Sequence, residues 1–250
     1  MSHKSSKAVI LIPARFSSSR FPGKPLSKIN QKPMIRWVYE GAVQSGFEAF
    51  VVTDSQEIEQ AVKEFGGSVI RVDDDVESGS ERIYLAYERH LKDDSNYSYI
   101  INLQGDEPLI KGKLLQELVQ FQENSGAFDI TTIVKSSTEP FEHSDPNVVK
   151  AHFCPENGRC LSFSRAAIPC NRDGDSEFEF FRHIGIYCYS VAAIEKFSTL
   201  APSTLEKVEK LEQLRALENG MSIGAIEIKD KLQSVDTPED ILKVEGLLNG

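Results

Sequence analysis

The part of the chain up to Leu103 alternates short apolar segments with amphipathic helical ones. The apolar segments predict buried strands, and the segments between them have apolar residues at helical spacing. Strands that alternate with helices are typical of a parallel sheet with helices on both faces. We therefore predict an α/β fold with a mostly parallel, Rossmann-like sheet. The predicted strands are Val9–Ile12, Ala49–Thr53, Ser68–Val72 and Tyr99–Leu103, and the predicted helices are Met34–Gln44, Gln56–Phe65 and Ser80–His90.

The second half of the sequence is less regular. A polar segment, Asn171–Asp175, joins two predicted strands, and we expect residues 154–190 to form a small subdomain or β excursion used for a dimer contact. The 250 residues contain no internal repeat or low-complexity linker, so we predict one domain over residues 1–250. The further predicted strands are Asp129–Lys135, Val148–Phe153, Cys160–Ser164, Gly185–Tyr189 and Ser222–Ile228, and the further helices are Val191–Thr199, Glu206–Asn219 and Pro238–Leu248.

Composition excludes several classes of partner. The formal net charge of −10 disfavours binding to nucleic acid or to an anionic membrane surface. No segment approaches the roughly 20 apolar residues of a membrane helix, and the polar start has no signal-peptide pattern, so we expect a cytoplasmic protein. The four cysteines form no metal-binding or C-x-x-C spacing, and we expect reduced thiols. They are Cys154, Cys160, Cys170 and Cys188.

A basic loop follows the first predicted strand and carries Arg15, Arg20 and Lys24 among serines and one glycine. In open α/β sheets, ligands bind outside the carboxyl ends of the strands. Backbone N–H groups of such a loop can surround phosphate oxygens, while the cations neutralise their charge. The loop lacks the Walker pattern, but it predicts a site for a polyanion such as a nucleoside triphosphate. The alternative is a solvated basic turn.

Two aspartates are candidate metal ligands. Asp106, in Gln104-Gly105-Asp106, directly follows a predicted strand, where a carboxylate could bind Mg²⁺ beside phosphate oxygens. A turn aspartate would look the same. Asp236 precedes Thr237-Pro238, and this motif by itself favours capping of a helix start. If the two carboxylates lie close together, they form a Mg²⁺ site.

Other polar residues fit the binding of a nucleotide and an acidic sugar. Ser78-Gly79-Ser80 starts a predicted helix, where N–H groups can bind a phosphate or a base, or where serine simply caps the helix. Arg165 could bind a carboxylate, while His183 and the pair Glu212-Gln213 could bind hydroxyls. Taken alone, each of Arg165, His183 and Glu212-Gln213 is more typical of an ordinary core or surface position than of a binding site.

Taken together, seven ordered motifs resemble the CMP-KDO synthetase family, the 3-deoxy-manno-octulosonate cytidylyltransferases. The resemblance runs from Ile10 to about Leu247. It implies a nucleotide-diphospho-sugar transferase fold, a homodimer, dependence on Mg²⁺ and a cytoplasmic role in lipopolysaccharide synthesis. The motifs are Ile12–Leu26, Ser78–Arg82, Asn102–Pro108, Leu161–Pro169, Arg182–Tyr187, Leu211–Arg215 and Val235–Asp240.

The resemblance also implies roles for individual residues. It assigns CTP binding to Ala14, Arg15, Arg20, Lys24, Ser78, Gly79 and Gln104. It assigns metal binding to Asp106 and Asp236, which with Arg15 and Lys24 form the catalytic set. It assigns the sugar acid to Arg165, His183, Tyr187, Glu212 and Gln213.

The implied reaction is transfer of CMP from CTP to the sugar acid, with release of pyrophosphate. Val76 stands where the family usually has histidine, and Ser80 where it usually has threonine. Family variants that use the 8-amino form of the sugar also resemble the chain, so this sugar is an alternative acceptor. Further alternatives are another acceptor, such as sialate or a methylerythritol phosphate, and a nucleotide-binding sensor without activity.

Overall fold

The computed structural model describes residues 8–17, 21–76, 78–93, 96–172, 174, 178–229 and 232–249. Contacts along the chain define two compact units. Unit 1 comprises residues 1–119 and 231–250, and unit 2 comprises residues 120–230. The prediction of one domain over residues 1–250 stays a prediction, because compactness does not show that either unit folds alone.

Unit 1 contains four parallel strands in the order β5-β4-β1-β6. Every residue of the central strand β1 is buried, which explains its continuous apolar sequence. The register pairs Ile12 with Val51 on one side and Leu11 with Asn102 on the other. A two-stranded hairpin, β2 with β3, lies outside this sheet. The bounds are β1 Ala8–Ala14, β2 Lys28–Ile29, β3 Lys32–Pro33, β4 Glu48–Thr53, β5 Val69–Arg71 and β6 Tyr99–Asn102.

Two helices of unit 1, α2 and α3, begin after serines that supply capping oxygens. Ser55 accepts a hydrogen bond from the Ile58 amide at the start of α2, and Ser78 accepts one from Glu81 at the start of α3. Helix α4 begins in unit 1 and ends in unit 2, and the sequence analysis missed it. The bounds are α1 Met34–Val43, α2 Gln56–Glu64, α3 Gly79–His90, α4 Gly112–Ser125 and α9 Pro238–Asn249, with a 3₁₀ helix at Lys24–Leu26.

Unit 2 contains five strands in the order β10-β7-β11-β9-β8, and β8 also pairs with β10, so the strands close on themselves. The pair β11 and β7 is parallel, and the other pairs among these described strands are antiparallel. The protein therefore has an α/β fold with mixed strand pairing, and the predicted mostly parallel sheet is wrong for unit 2. The bounds are β7 Ile130–Ser137, β8 Lys150–Cys154, β9 Arg159–Ser164, β10 Phe180–Ser190 and β11 Ile223–Glu227.

The physical reason for this difference is that β8 and β9 are joined by a tight turn at Gly158, whose φ is 70°. Such a turn connects antiparallel neighbours, whereas parallel strands need a crossover. The predicted excursion at residues 154–190 thus contributes β9 and β10 to the closed sheet. Its use as a dimer contact stays a prediction. Asp173 and Asp175 of the polar segment lie outside the described residues.

The helix predicted at Glu206–Asn219 is two helices. Ser203 and Glu206 form a capping box that starts α7, and Lys210 then adopts a left-handed conformation with φ 55°, which ends it. Among the described residues, every helix of the protein is too short or too polar to cross a membrane. The helices of unit 2 are α5 Pro140–Ser144, α6 Val191–Ser198, α7 Thr204–Glu209 and α8 Gln213–Glu218.

Candidate functional site

Three predicted site residues of unit 1 come together around one ammonium group. Lys24 Nζ lies 2.7 Å from Asp106 Oδ2 and 3.4 Å from Asp236 Oδ1, and it donates a hydrogen bond of 2.9 Å to the carbonyl oxygen of Val235. The two aspartates, distant in sequence, thus face the same cation. The Lys24 side chain is 16% exposed and Asp236 is 59% exposed, so the cluster is open to solvent on the Asp236 side.

Backbone structure explains how these three residues meet. Asp106 follows the carboxyl end of β6, and its carbonyl oxygen accepts a hydrogen bond of 3.0 Å from the amide of Val235. Val235 is fully buried in an apolar cluster with Ile29 and Met34, so it fixes the position of the next residue, Asp236. The loop that carries Lys24 is closed by a hydrogen bond from the Gly23 amide to the Phe16 carbonyl oxygen.

The charges of the cluster stabilise one another. Burial lowers the pKa of Lys24, but the Asp106 carboxylate and then the Asp236 carboxylate outweigh burial, so that the pKa is raised above its usual value. The start of α9 is capped by the Asp240 carboxylate, which accepts hydrogen bonds from the amides of Asp236 and Thr237. Among the described residues, the Asp236 carboxylate pairs with Lys24 and accepts no hydrogen bond from the start of α9, so the capping role that the isolated motif favoured for it is not seen.

The predicted nucleotide residues surround the carboxyl end of β1, where Ala14 is the last strand residue. Gly79, at the start of α3, packs so closely that a Cβ there would lie 3.2 Å from Pro13 Cγ. A Cβ on Gly105 would lie 3.0 Å from the carbonyl oxygen of Pro13. Gln104 Nε2 donates to Asn102 Oδ1 at 3.1 Å. A side chain at either position would therefore crowd Pro13, through its ring at Gly79 and through its backbone at Gly105.

Two arginines add positive charge to this region. Arg82 on α3 is 1% exposed, and it donates to the Val72 carbonyl oxygen at 2.6 Å and to Asp54 Oδ2 at 2.7 Å. Burial lowers the pKa of Arg82, the Asp54 charge opposes this, and the charge of Arg15 lowers the pKa further. Arg15 makes no side-chain hydrogen bond within the described residues, so its guanidinium is available to an anion. The predicted site residue Arg20 lies outside the described residues.

Unit 2 brings together most of the residues predicted to bind the sugar acid. The Tyr187 hydroxyl donates to Gln213 Oε1 at 3.0 Å, and the rings of Tyr187 and His183 lie 5.4 Å apart. The Gln213 Nε2 atom is buried and has no hydrogen-bond partner in the described part of the chain. Burial raises the pKa of Tyr187, and the charges of nearby groups, including Glu212, raise it further. A buried amide without a protein partner is free to bind an ordered water or a polar ligand.

Arg165 is held by backbone oxygens in unit 2. Its Nε donates to the Glu209 carbonyl at 2.7 Å and its Nη1 to the Pro146 carbonyl at 2.9 Å. The Glu209 carboxylate accepts from the Arg165 amide and from Ser164. Across the described ranges the Arg165 guanidinium forms no ion pair, so its charge is oriented but not neutralised.

Several residues that support these side chains were missed. Lys150 is fully buried and donates to the carbonyl oxygens of Asp145, Val148 and Arg165 at 2.7–2.8 Å. Burial lowers its pKa. The available signal was a lysine in the middle of the predicted strand Val148–Phe153. Asn102 is likewise a polar residue inside an apolar predicted strand, Tyr99–Leu103, and it is fully buried.

Comparison with known proteins decides the family. The chain matches the protein family described as cytidylyltransferase over residues 9–223. It belongs to the cytidylyltransferase family. This cytidylyltransferase is a nucleotidyltransferase enzyme, as predicted.

Two relatives of this cytidylyltransferase resemble it over nearly their full length. It is 44% identical to the 8-amino-3,8-dideoxy-manno-octulosonate cytidylyltransferase of Shewanella woodyi, with 96% of this chain and 97% of the relative covered. It is 41% identical to the 3-deoxy-manno-octulosonate cytidylyltransferase of Thermodesulfovibrio yellowstonii, with 96% and 98% covered. The predicted resemblance to this family is confirmed.

Solved structures agree with this family. The structure of a CMP:2-keto-3-deoxy-manno-octonic acid synthetase complexed with CTP has a TM-score of 0.88 and 38% identity, covering 98% of this cytidylyltransferase and 99% of that chain. A cytidylyltransferase from Leptospira borgpetersenii has a TM-score of 0.64 and 19% identity, covering 98% and 87%, and shows a shared fold.

Proposed function

We propose that the protein transfers CMP from CTP to the anomeric hydroxyl of 3-deoxy-manno-octulosonate and releases pyrophosphate. The observation that carries the proposal is the convergence of Lys24, Asp106 and Asp236, since the family motifs assign these residues to the triphosphate and the metal. In the reaction, the anomeric oxygen forms a bond to the α-phosphorus. The bond to the bridging oxygen breaks, pyrophosphate leaves with its electron pair, and the hydroxyl proton is lost to solvent.

The basic residues of unit 1 would bind the triphosphate and stabilise the leaving pyrophosphate. The Arg15 guanidinium has no hydrogen-bond partner among the described side chains, and Lys24 is kept protonated by its carboxylate neighbours, which raise its pKa. Phosphoryl transfer requires mainly positioning and charge stabilisation, which fixed cations supply. Ser78, Gly79 and Gln104 lie at the same end of β1 and would bind the rest of the nucleotide.

The residues around Lys24 also fit a divalent cation. Asp106, Asp236 and the Val235 carbonyl already surround a positive charge with oxygen atoms, the donor type that Mg²⁺ prefers. Three or more acidic, histidine or cysteine residues do not cluster as a metal site anywhere in the described ranges, so the remaining ligands would be phosphate oxygens and water. When bound, Mg²⁺ would withdraw charge from the α-phosphate and lower the pKa of the attacking hydroxyl.

The polar residues of unit 2 would bind the sugar acid. The Arg165 guanidinium, oriented by two carbonyls, suits the sugar carboxylate. His183, Tyr187, Glu212 and Gln213 suit its hydroxyls, and the buried Gln213 Nε2 would gain a hydrogen-bond partner. The same site would then discriminate the acceptor, because an acceptor without those hydroxyls leaves these groups unpaired.

The 8-amino-3,8-dideoxy sugar is the second candidate acceptor. Relatives named for each sugar match the chain over nearly its full length, and Val76, where the family usually has histidine, is 5% exposed. The deciding experiment incubates the protein with CTP, MgCl₂ and one acceptor at a time, and measures pyrophosphate release. We expect release with 3-deoxy-manno-octulosonate or its 8-amino form, and none when MgCl₂ is replaced by EDTA.

The other arms of the panel test the remaining alternatives. Release with sialate or a methylerythritol phosphate alone would reject the proposed acceptor. CTP binding without release with any acceptor would indicate a nucleotide sensor. A homodimer and a cytoplasmic location, both implied by the family resemblance, are parts of the same proposal. Light scattering of the purified protein would test the dimer.

A further inference from the structure

The Thr132 hydroxyl on β7 contacts three polar groups at once. Its Oγ1 atom lies 2.9 Å from His183 Nε2, 2.8 Å from the Ile186 carbonyl oxygen and 3.2 Å from the Ile184 carbonyl oxygen. Thr132 is fully buried, so water does not replace any of these partners. These three contacts together determine which of the atoms Thr132 Oγ1 and His183 Nε2 donates a proton to the other.

Counting protons assigns the tautomer of His183. A threonine hydroxyl has one proton to donate, and a carbonyl oxygen can only accept. The proton of Thr132 is therefore donated to Ile186 or Ile184. If it were donated to His183 instead, both carbonyl oxygens would face the lone pairs of Oγ1. Consequently His183 Nε2 must carry a proton and donate it to Thr132.

The local backbone explains why two carbonyls point at one hydroxyl. The pairing of β10 with β7 shifts register between Ile184 and Cys188, which marks a β-bulge or a similar irregularity. Bulges turn backbone groups out of their ladder positions, and they often occur beside functional sites. Here the irregular segment directs carbonyl oxygens toward Thr132 while His183, immediately before it, keeps a regular pairing with Val134.

We propose that Thr132 is a positioning residue that holds His183 as the Nε2–H tautomer, so that Nδ1 accepts a hydrogen bond from a hydroxyl of the sugar acid. The inference rests on the proposed function for the identity of that ligand. Nδ1 has no hydrogen-bond partner within the described ranges. The ring is held by Phe163, whose centroid lies 4.8 Å away, and by Tyr187.

The environment of the ring agrees with this assignment. Burial lowers the pKa of His183 to about 3, so the imidazole is neutral near pH 7. A neutral imidazole has one donor and one acceptor nitrogen, and the hydrogen bond of one nitrogen decides the role of the other. Thr132 therefore keeps Nδ1 as a hydrogen-bond acceptor. In a ring that exchanges between its two tautomers, Nδ1 would be an acceptor only part of the time.

Nitrogen NMR of the full-length protein labelled with ¹⁵N-histidine tests the tautomer without any substrate. The His183→Gln spectrum assigns the signals. We expect the wild-type Nε2 signal at the position of a protonated nitrogen and the Nδ1 signal at that of an unprotonated one. Thr132→Ser should keep this pattern, and Thr132→Val should shift both signals toward averaged values. A wild-type spectrum with the proton on Nδ1 overturns the proposal, even if Thr132→Val does not fold.

Kinetics with 3-deoxy-manno-octulosonate, its 8-amino form and CTP then test the consequence for binding. Thr132→Val should raise KM for the sugar about tenfold, the effect of one lost hydrogen bond, with KM for CTP unchanged. Thr132→Ser keeps the hydroxyl, so its KM for the sugar should stay at the wild-type value. Thr131→Val is the matched control, because this buried neighbour lies on the opposite face of β7.

The outcomes separate this inference from the proposed function. If His183→Gln leaves KM unchanged for the sugar that the protein uses, the assignment of His183 to the sugar acid is wrong. This inference then fails with it. If His183→Gln raises KM but Thr132→Val matches Thr131→Val, only the role of Thr132 is rejected.

Discussion

Lys24 and Asp106, 82 positions apart in the sequence, form an ion pair with Nζ 2.7 Å from Oδ2. The same ammonium lies 3.4 Å from Asp236. A single side chain thus holds a positive charge between two carboxylates. This geometry makes the roles of the three residues separately testable.

Replacing Lys24 by methionine should weaken CTP binding. The change removes a charge-assisted contact worth roughly 1.5–3 kcal/mol, so KM for CTP should rise about tenfold or more. Pyrophosphate release at varied CTP concentration measures it. Lys63→Met is the control, because Lys63 forms an exposed pair with Glu59 on α2. If both variants have the wild-type KM and kcat, Lys24 does not bind phosphate.

Replacing Asp106 by asparagine should reduce kcat by about 10²-fold or more, the usual effect of losing one electrostatic stabiliser. Asp236→Asn should act in the same direction. Asp74→Asn, which alters an exposed pair with Arg89, should leave kcat unchanged. Unfolding curves of each variant show whether the fold is intact. Near wild-type turnover by a folded Asp106→Asn variant would reject the metal assignment.

Replacing Lys150 by methionine should destabilise the protein. Three part-buried carbonyl oxygens lose their donor. An unsatisfied buried polar group costs roughly 1–3 kcal/mol, and with partial exposure each oxygen falls at the low end, so we expect a loss of about 3 kcal/mol in total. Urea unfolding measures the change. Lys196→Met, at an exposed position on α6, is the control. An equal free energy of unfolding for the two variants would contradict the role of Lys150.

The lowered pKa of His183 predicts a pH dependence of stability. Its pKa is about 3 in the folded protein and 6.5 for an unperturbed histidine, so between these pH values the unfolded chain binds more protons. Stability contributed by His183 is therefore complete above pH 6.5 and falls as the pH drops toward 3. Between pH 7 and pH 5, the free energy of unfolding of His183→Gln should fall by about 2 kcal/mol less than that of wild type.

The measurement for His183 is urea unfolding at both pH values. Other groups with lowered pKa values, such as the carboxyls of Glu206 and Asp240, affect both proteins equally and cancel in the difference. The exposed His90, replaced by glutamine, is the control. If the free energy of unfolding changes equally with pH in wild type and in His183→Gln, burial does not lower the pKa of His183.

The strands of unit 1 could be predicted because each is a short buried apolar segment. Helix α4 was missed although Leu114, Leu115 and Leu118 have helical spacing and are buried. The break between α7 and α8 was not predictable, because Lys210 takes a left-handed conformation without the glycine that usually indicates one. The mixed pairing in unit 2 depends on contacts distant in sequence, which local patterns do not encode.

For the candidate site, position after a strand was sufficient to single out Asp106. The proximity of Asp236 was predicted only as a condition, since it depends on the burial of Val235 and its bond to the Asp106 carbonyl. The supporting residues Thr132 and Lys150 were missed because their roles come from what they contact. A buried polar residue is visible in the sequence, but its partners are not.

The residues assigned to CTP all belong to unit 1, and those assigned to the sugar acid all belong to unit 2. On these assignments, mutations in residues 120–230 can alter the preferred acceptor in a lineage while the triphosphate chemistry is inherited unchanged. Acceptor preference would then be an evolutionarily labile trait. That agrees with relatives of similar identity to this chain being named for two different sugars.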